Sequence, residues 1–418
     1  NVTGSTFAWT IAQAGVTGAT AGTGTFIPDV LTATGTHAGT ASYAITATAN
    51  GCSGMSLNVT VTVNPIPVAT ATPSSQAICS GSSTSVALSS DVIGTLFAWT
   101  AAVSPSGSIT GTVNGAGSNI VQSLSNATVL PGLATYNIVP TFSGCAGSPI
   151  NVNVTVNPIP TFTSSVAAAV CSGTLLTYNP TSNLTASFAW SRAYVVGIQN
   201  SAGTGTGAIT ETLINTTVSV KTVTYIYTIT SNGCSSTHNV TVTVSPKPVL
   251  DSQIAPPSVC SGSSFDYTPS GSVLGTTYAW SRPLVTGISN VASSGSGSIN
   301  EVLTNTTNGN VVVPYVYVLN ANGCTTSVFV NATIKPKATL TSTLTPGAIC
   351  SGTVFGYVPS SLVSGTTFNW GRSPISGISN SVGFGNGNPN ETLNSITSSP
   401  VVVTYVYTLQ ASGCENIQ

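Results

Sequence analysis

The chain has five tryptophans, Trp9, Trp99, Trp190, Trp280 and Trp370, at intervals of 90, 91, 90 and 90 residues. Two further landmarks keep the same beat. Gly-Cys pairs end at Cys52, Cys145, Cys234, Cys324 and Cys414, each with a tyrosine nine residues earlier (Tyr43, Tyr136, Tyr225, Tyr315 and Tyr405). Cys-Ser-Gly begins at Cys79, Cys171, Cys260 and Cys350. Three landmarks in a fixed order define a unit of about 90 residues, and a repeat of that length is a structural module whose reading precedes any local pattern. The expected units are 1–65, 66–158, 159–246, 247–336 and 337–418. Residues 1–9 match 91–99 and the chain stops just after Cys414, so the first unit is expected to lack its opening strands and the last its closing strand.

Within a unit the apolar pattern has period two. In "VPYVYVLNANGC" Tyr315 and Tyr317 share a face; in "HNVTVTVSPKP" Val240, Val242 and Val244 face one way and Thr241 and Thr243 the other. Half-buried strands read like this, and no segment carries the 3.6-residue period of a helix. In the clearest unit, strands are expected near Val249–Ile254, Phe265–Thr268, Thr277–Arg282, Ile299–Leu303, Val311–Leu319 and Ser327–Ile334. Six or seven short strands with a turn signal after each predict an immunoglobulin-like β-sandwich, with the tryptophan as its core plug. The fold class is therefore all-β, a tandem array of such sandwiches.

Pro65-Ile66-Pro67, Pro158-Ile159-Pro160 and Pro246-Lys247-Pro248 join the units, with Pro336-Lys337-Ala338 as a weaker fourth. Alternate prolines hold extended polyproline II backbone and make stiff, short spacers. At roughly 3.3 Å per residue, a unit of eight-residue strands plus loops spans about 40 Å, and the array approaches about 200 Å.

Composition excludes several functions. Charged residues make up 4% of the chain, and the formal net charge is −1, so the basic footprint of a nucleic-acid binder is missing. Hydrophobic residues at 41% are enough for folding. No apolar run approaches the roughly 18 to 20 residues that span a bilayer as a helix.

Cys-Ser-Gly before an apolar strand, then Tyr/Phe-Ala-Trp, then Thr-Tyr-x-Tyr and Asn-Gly-Cys, then a Thr/Val strand closing on Pro-x-Pro, resembles the PKD-like immunoglobulin-type repeats of large secreted surface proteins in Bacteroidota. The resemblance implies export by the type IX system and a part in adhesion or gliding, with the repeats serving mostly as stalks. The better-known PKD pattern follows its tryptophan with Asp-Phe-Gly-Asp-Gly; here Ser281-Arg282 follow Trp280, so no role of that acidic loop is implied.

Nine cysteines at fixed repeat positions, without histidines or acids spaced as metal ligands, point to disulfides in an oxidising compartment. Two pairings are open. Within units, Cys79 would join Cys145, Cys171 Cys234, Cys260 Cys324 and Cys350 Cys414, each stabilising by about 4 kcal/mol in the chain-entropy model. Across junctions, Cys79 would join Cys234, Cys171 Cys324 and Cys260 Cys414. The objection to the first is that the two turns lie at opposite poles of a sandwich, beyond the ~7 Å reach of a bridge.

Arg192, Arg282 and Arg372 each follow a tryptophan by two, and Glu211, Glu301 and Glu391 recur after them at one fixed spacing; the first two units have neither. Joint presence and absence predict three ion pairs joining strands, each worth at most about 1 kcal/mol if exposed. Gly-rich stretches such as "GTGTGAITE" and "SGSGSINE" precede no helix and read as turns or irregular loops, not phosphate cradles. One or two acids per unit do not make calcium junctions, and His37 and His238 occupy different repeat positions without a repeated partner, which argues against a hydrolytic triad. Asn-x-Ser/Thr at Asn58, Asn153 and Asn239 follows from Thr-rich closing strands. No catalytic residue, metal or cofactor is expected. The expected function is a structural stalk or fibre segment of an extracellular filament or cell-surface adhesin. It would associate with itself through strand edges, or reach a surface glycan or protein through a region outside the chain; the alternative is repeats that themselves bind glycan or protein.

Overall fold

The computed structural model describes residues 2–418, and every helix or strand element among them is a β-strand. Unit four shows the architecture. Its main sheet runs, in spatial order, Val259–Cys260, Cys324–Lys335, Val311–Ala321, Thr277–Arg282 and Ser293–Ser296. All neighbours are antiparallel except the first pair, in which Val259 and Cys260 lie parallel to Ile334 and Lys335. The facing sheet is the pair Ser264–Tyr267 and Ile299–Val302. Units two and three have the same main sheet, with Ser75–Cys79 and Ala167–Cys171 parallel to the closing strands Ile150–Asn157 and Cys234–Ser245.

Alternation fills the space between the sheets. Val313, Tyr315, Tyr317 and Leu319 from the tyrosine strand and Val330, Ala332 and Ile334 from the closing strand are fully buried against Phe265, Ile299 and Leu303. Trp280 meets Tyr315 edge to face at 5.7 Å, and Phe265 stacks on the same tyrosine at 5.5 Å. Such pairs contribute about 0.5–1.5 kcal/mol beyond burial.

Two expectations are corrected. Val249–Ile254 is not a strand; it runs beside the closing strand through one bond, Asn331 N–H to the Ile254 carbonyl. Pro256 and Pro257 follow, and without N–H donors they stop a ladder from forming. The parallel partner is instead the short Val259–Cys260. The Gly-rich stretches are not irregular either, since Gly203–Thr206, Ser293–Ser296 and Gly383–Asn386 are edge strands paired with the tryptophan strand. Their central glycine lies opposite the indole in register, and a Cβ on Gly295 would stand 2.7 Å from Trp280 Cζ2. Gly22, Gly115, Gly205 and Gly385 face Trp9, Trp99, Trp190 and Trp370 in the same way. The glycine is the seat of the tryptophan.

Candidate functional site

Each Cys-Ser-Gly phrase closes one pole of a unit. In unit four the Ser261 N–H donates to the Lys335 carbonyl at the end of the closing strand, the Gly262 N–H donates to Leu303, and Ser261 Oγ accepts from the Asn305 N–H at 3.0 Å. Ser80 and Ser172 repeat these contacts with Asn126 and Asn215, and Ser351 receives the Ser395 N–H. The asparagine completes the pole. Buried Asn305 donates from Nδ2 to the Gly309 and Ile334 carbonyls, and its Oδ1 accepts from the Thr307 N–H and hydroxyl. The spacing that reveals these asparagines, ten residues before the unit's tyrosine at Asn126, Asn215 and Asn305, escapes a reading that follows cysteines and aromatics.

The opposite pole is a two-residue hairpin. Asn232-Gly233 and Asn322-Gly323 both have positive φ (47° and 78°, 51° and 79°), the conformation of a type I′ turn that favours Asn-Gly. The cysteine after the turn opens the closing strand. Within unit three, Cys171 is in register with Ser245 at the far end of that strand, which begins at Cys234. The two ends are about 36 Å apart at strand rise, so a bridge inside the unit is ruled out.

Successive units meet pole to pole, and there the sulfurs join. Cys79 bonds Cys234, Cys171 bonds Cys324 and Cys260 bonds Cys414, with Cα–Cα distances of 5.6, 5.7 and 5.6 Å. The within-unit alternative is not found in the structure. Cys52, Cys145 and Cys350, which the junction scheme leaves without a partner in this sequence, form no bridge among the described residues. At the second junction Asn157 Nδ2 also donates to the Asn232 carbonyl of the next unit's turn at 3.1 Å.

The arginines lie in the cores of units three to five, not on their surfaces. The Arg192, Arg282 and Arg372 side chains are 2, 1 and 0% exposed, against 20, 16 and 18% for Glu211, Glu301 and Glu391. Each pair is bidentate; Arg282 Nε and Nη2 reach Glu301 at 2.9 and 3.1 Å, and Nη2 also donates to the Val291 carbonyl at 2.7 Å. Tyr315 donates its hydroxyl to the same carboxylate, as Tyr225 does to Glu211 and Tyr405 to Glu391. Burial pushes the Glu301 carboxyl upward, but hydrogen bonds from Arg282 and Tyr315 outweigh it and hold the group below its usual range. Burial and the bond to Glu301 push Tyr315 far above the usual phenol value. The three ion pairs join the tryptophan strand to the facing sheet inside the unit, and the arginine end of each is buried.

An acceptor for the core tyrosine exists in all five units, at one constant spacing before it. Asp29 accepts from Tyr43 at 2.7 Å and Gln122 from Tyr136 at 2.8 Å, so the first two units keep the tyrosine's partner without the arginine. Trp9 and Trp99 donate their indole N–H to the Thr20 and Val113 carbonyls, whereas Trp190, Trp280 and Trp370 have no partner for that N–H.

A cavity of about 1050 Å³ lies in unit five over Leu393, Tyr405 and Tyr407. Its walls are the ones that the closing strand covers in unit four. No helix among the described residues is long and apolar enough to cross a membrane.

The sequence profile of the PKD-like domain matches residues 1–67, 76–160, 168–248 and 257–338. The chain belongs to the PKD-like domain family. Its units form an all-β, immunoglobulin-like tandem array. No curated protein matches the chain. Among solved structures it is similar to titin domains I67–I69 in an E-to-A variant (13% identity, 63% of this chain and 96% of that one, TM-score 0.33). It is also similar to Sidekick-1 immunoglobulin domains 1–4 (12%, 80% and 90%, 0.24) and to the human Desmocollin-1 ectodomain (11%, 90% and 84%, 0.22). These likenesses are loose along the array and concern architecture alone. In the PKD-like units here, the repeated chemistry is concentrated at the two poles and in the arginine cores.

Proposed function

We propose that the chain is a five-unit segment, divided at 1–65, 66–158, 159–246, 247–336 and 337–418, of a stiff extracellular stalk or fibre. The observation that carries this reading is the set of three disulfides across successive junctions. A junction made only of a Pro-x-Pro spacer is semi-rigid but has a single attachment, about which the two units can still turn. One closed a second time by a covalent bridge has two attachments and resists bending. Disulfides persist in oxidising compartments, which supports secretion, and the resemblance of the repeats to those of type IX-exported surface proteins in Bacteroidota agrees with it. Near-zero net charge also weakens repulsion between neighbouring copies.

A second reading, direct binding of a glycan or protein, draws on the outward face of unit four, where Val312, Val318 and Phe329 are 54, 40 and 60% exposed. Electron microscopy with and without reductant tests the first reading. Straight rods that become bent on reduction are expected. Beads on a flexible string in both conditions would overturn it and shift weight to the second.

A further inference from the structure

The bridges do more than stiffen, because of where they enter the chain. Each stretch from a turn cysteine to the next Cys-Ser-Gly cysteine comprises the closing strand of one unit, the spacer and the parallel edge strand of the next unit. Cys234 to Cys260 is such a stretch, and Cys145 to Cys171 is another. The bridges splice these stretches end to end. One continuous covalent path runs Cys52 to Cys79, across to Cys234, on to Cys260 and across to Cys414; a second runs Cys145 to Cys171, across to Cys324 and on to Cys350. In units two to four the two paths are neighbouring parallel strands of the main sheet.

We propose that this two-ply ribbon carries tension along the array, and that the remainder of each bridged unit, including its tryptophan and tyrosine core and, in units three to five, the arginine, lies off the line of pull. The inference rests on the stalk reading only in taking the pull to act along the array. The Cys234–Cys260 stretch already spans two units. Two closing-strand lengths of about 36 Å plus the spacer compare with about 90 Å for the same stretch fully extended. The path has little slack. Pulling on the chain therefore cannot draw out the loops from Cys171 to Cys234 or from Cys260 to Cys324, because both ends of each loop are held by the ribbon. A single peptide-bond cut anywhere between Cys79 and Cys414 is likewise bypassed by at least one bridge.

The test is single-molecule stretching of the full chain held through its two termini. With bridges intact, the shortest covalent route runs from the N-terminus to Cys79, from Cys234 to Cys260, and from Cys414 to the C-terminus. That route is about 108 residues, with a ceiling of about 380 Å against about 1460 Å for the whole chain at ~3.5 Å per residue. A dithiol reductant, which opens each S–S bond to two thiols and is itself oxidised to a disulfide, should raise the limiting length about four-fold and reveal stepwise unfolding of the units.

Two single variants sharpen the test, since each removes one bridge. Cys171→Ser should leave the oxidised ceiling unchanged. Cys260→Ser should raise it to that of about 235 residues, about 820 Å, because the shortest remaining route runs from Cys234 back to Cys171, across to Cys324 and on to Cys414. Full extension of the oxidised chain, or the same ceiling for both variants, would refute the ribbon. If the molecule is still a rod in micrographs, that outcome leaves the stalk reading standing.

Discussion

Replacing Glu301 with glutamine tests whether the arginine cores hold the later units together. The substitution keeps the side-chain length and one oxygen for Tyr315, but removes the counter-charge from a guanidinium whose side chain is 1% exposed. An exposed pair broken this way loses about 0–1 kcal/mol; a buried one loses about 3–5 kcal/mol, because the remaining ion cannot recover water. Arg282 keeps its bond to the Val291 carbonyl, which places the expected loss near the lower figure, about 3 kcal/mol. For a domain of this size each kcal/mol moves the midpoint by about 4–8 °C, so unit four should melt at least about 12 °C earlier in calorimetry of the full chain. The companion variant Arg282→Met combined with Glu301→Gln removes both charges and should recover much of the loss, since replacing a whole buried pair by apolar groups is often nearly neutral. A loss below about 1 kcal/mol for Glu301→Gln, the range of an exposed pair, or a double variant as unstable as the sum of the singles, would refute the reasoning. The pair also predicts the pH response. The folded-state pKa of Glu301 lies below its unfolded value, so its stabilisation is complete above the unfolded glutamate pKa of about 4.3 and is lost as pH falls from there through the lowered native value.

Gly295→Val should cost at least about 1–3 kcal/mol by overpacking and shift the fluorescence of Trp280, whose ring a new Cβ would meet at 2.7 Å; an unchanged spectrum and midpoint would contradict the seating role. Asn305→Ala should cost about 2–3 kcal/mol in urea unfolding, because the buried Ile334 carbonyl loses its side-chain donor along with Gly309. A loss under about 0.5 kcal/mol, the low end for a single hydrogen bond, would show that the pole closes without it. Trypsin should cut after exposed Lys337, since Lys335 is followed by proline. The two pieces, 1–337 and 338–418, should separate on a gel only with reductant, because Cys260–Cys414 spans the cut. Separation without reductant would mean that this bridge is not formed.

Much of each unit was legible because the information is local. Strand alternation places Tyr315, Tyr317, Val240 and Val242 inward as a direct consequence of the pleat, and the Asn-Gly turn follows from the positive φ that two-residue hairpins require. The parallel edge strand was not legible. Val259–Cys260 is only two residues long, and what makes it a strand is Ile334 and Lys335 of the closing strand, at the other end of the unit's sequence. The Gly-rich stretches misled for a related reason. Glycine ordinarily weakens a strand, and here it is required only because the tryptophan of the neighbouring strand occupies the space of its side chain. The burial of Arg282 was equally hidden, since spacing alone does not say which face of the sheet receives a side chain at the end of a strand.

The sequence by itself determined the period, the all-β class, the unit's landmarks and the two competing bridge schemes, because each depends on residue order and on steric rules that act over a few residues. Only the tertiary structure decided between the schemes. Two cysteines of one unit stand a full closing strand apart, about 36 Å, while those of successive units meet at a shared pole with Cα atoms 5.6 Å apart. Which pole faces which is a property of the stacked sandwiches, set by the direction in which the parallel edge strand runs.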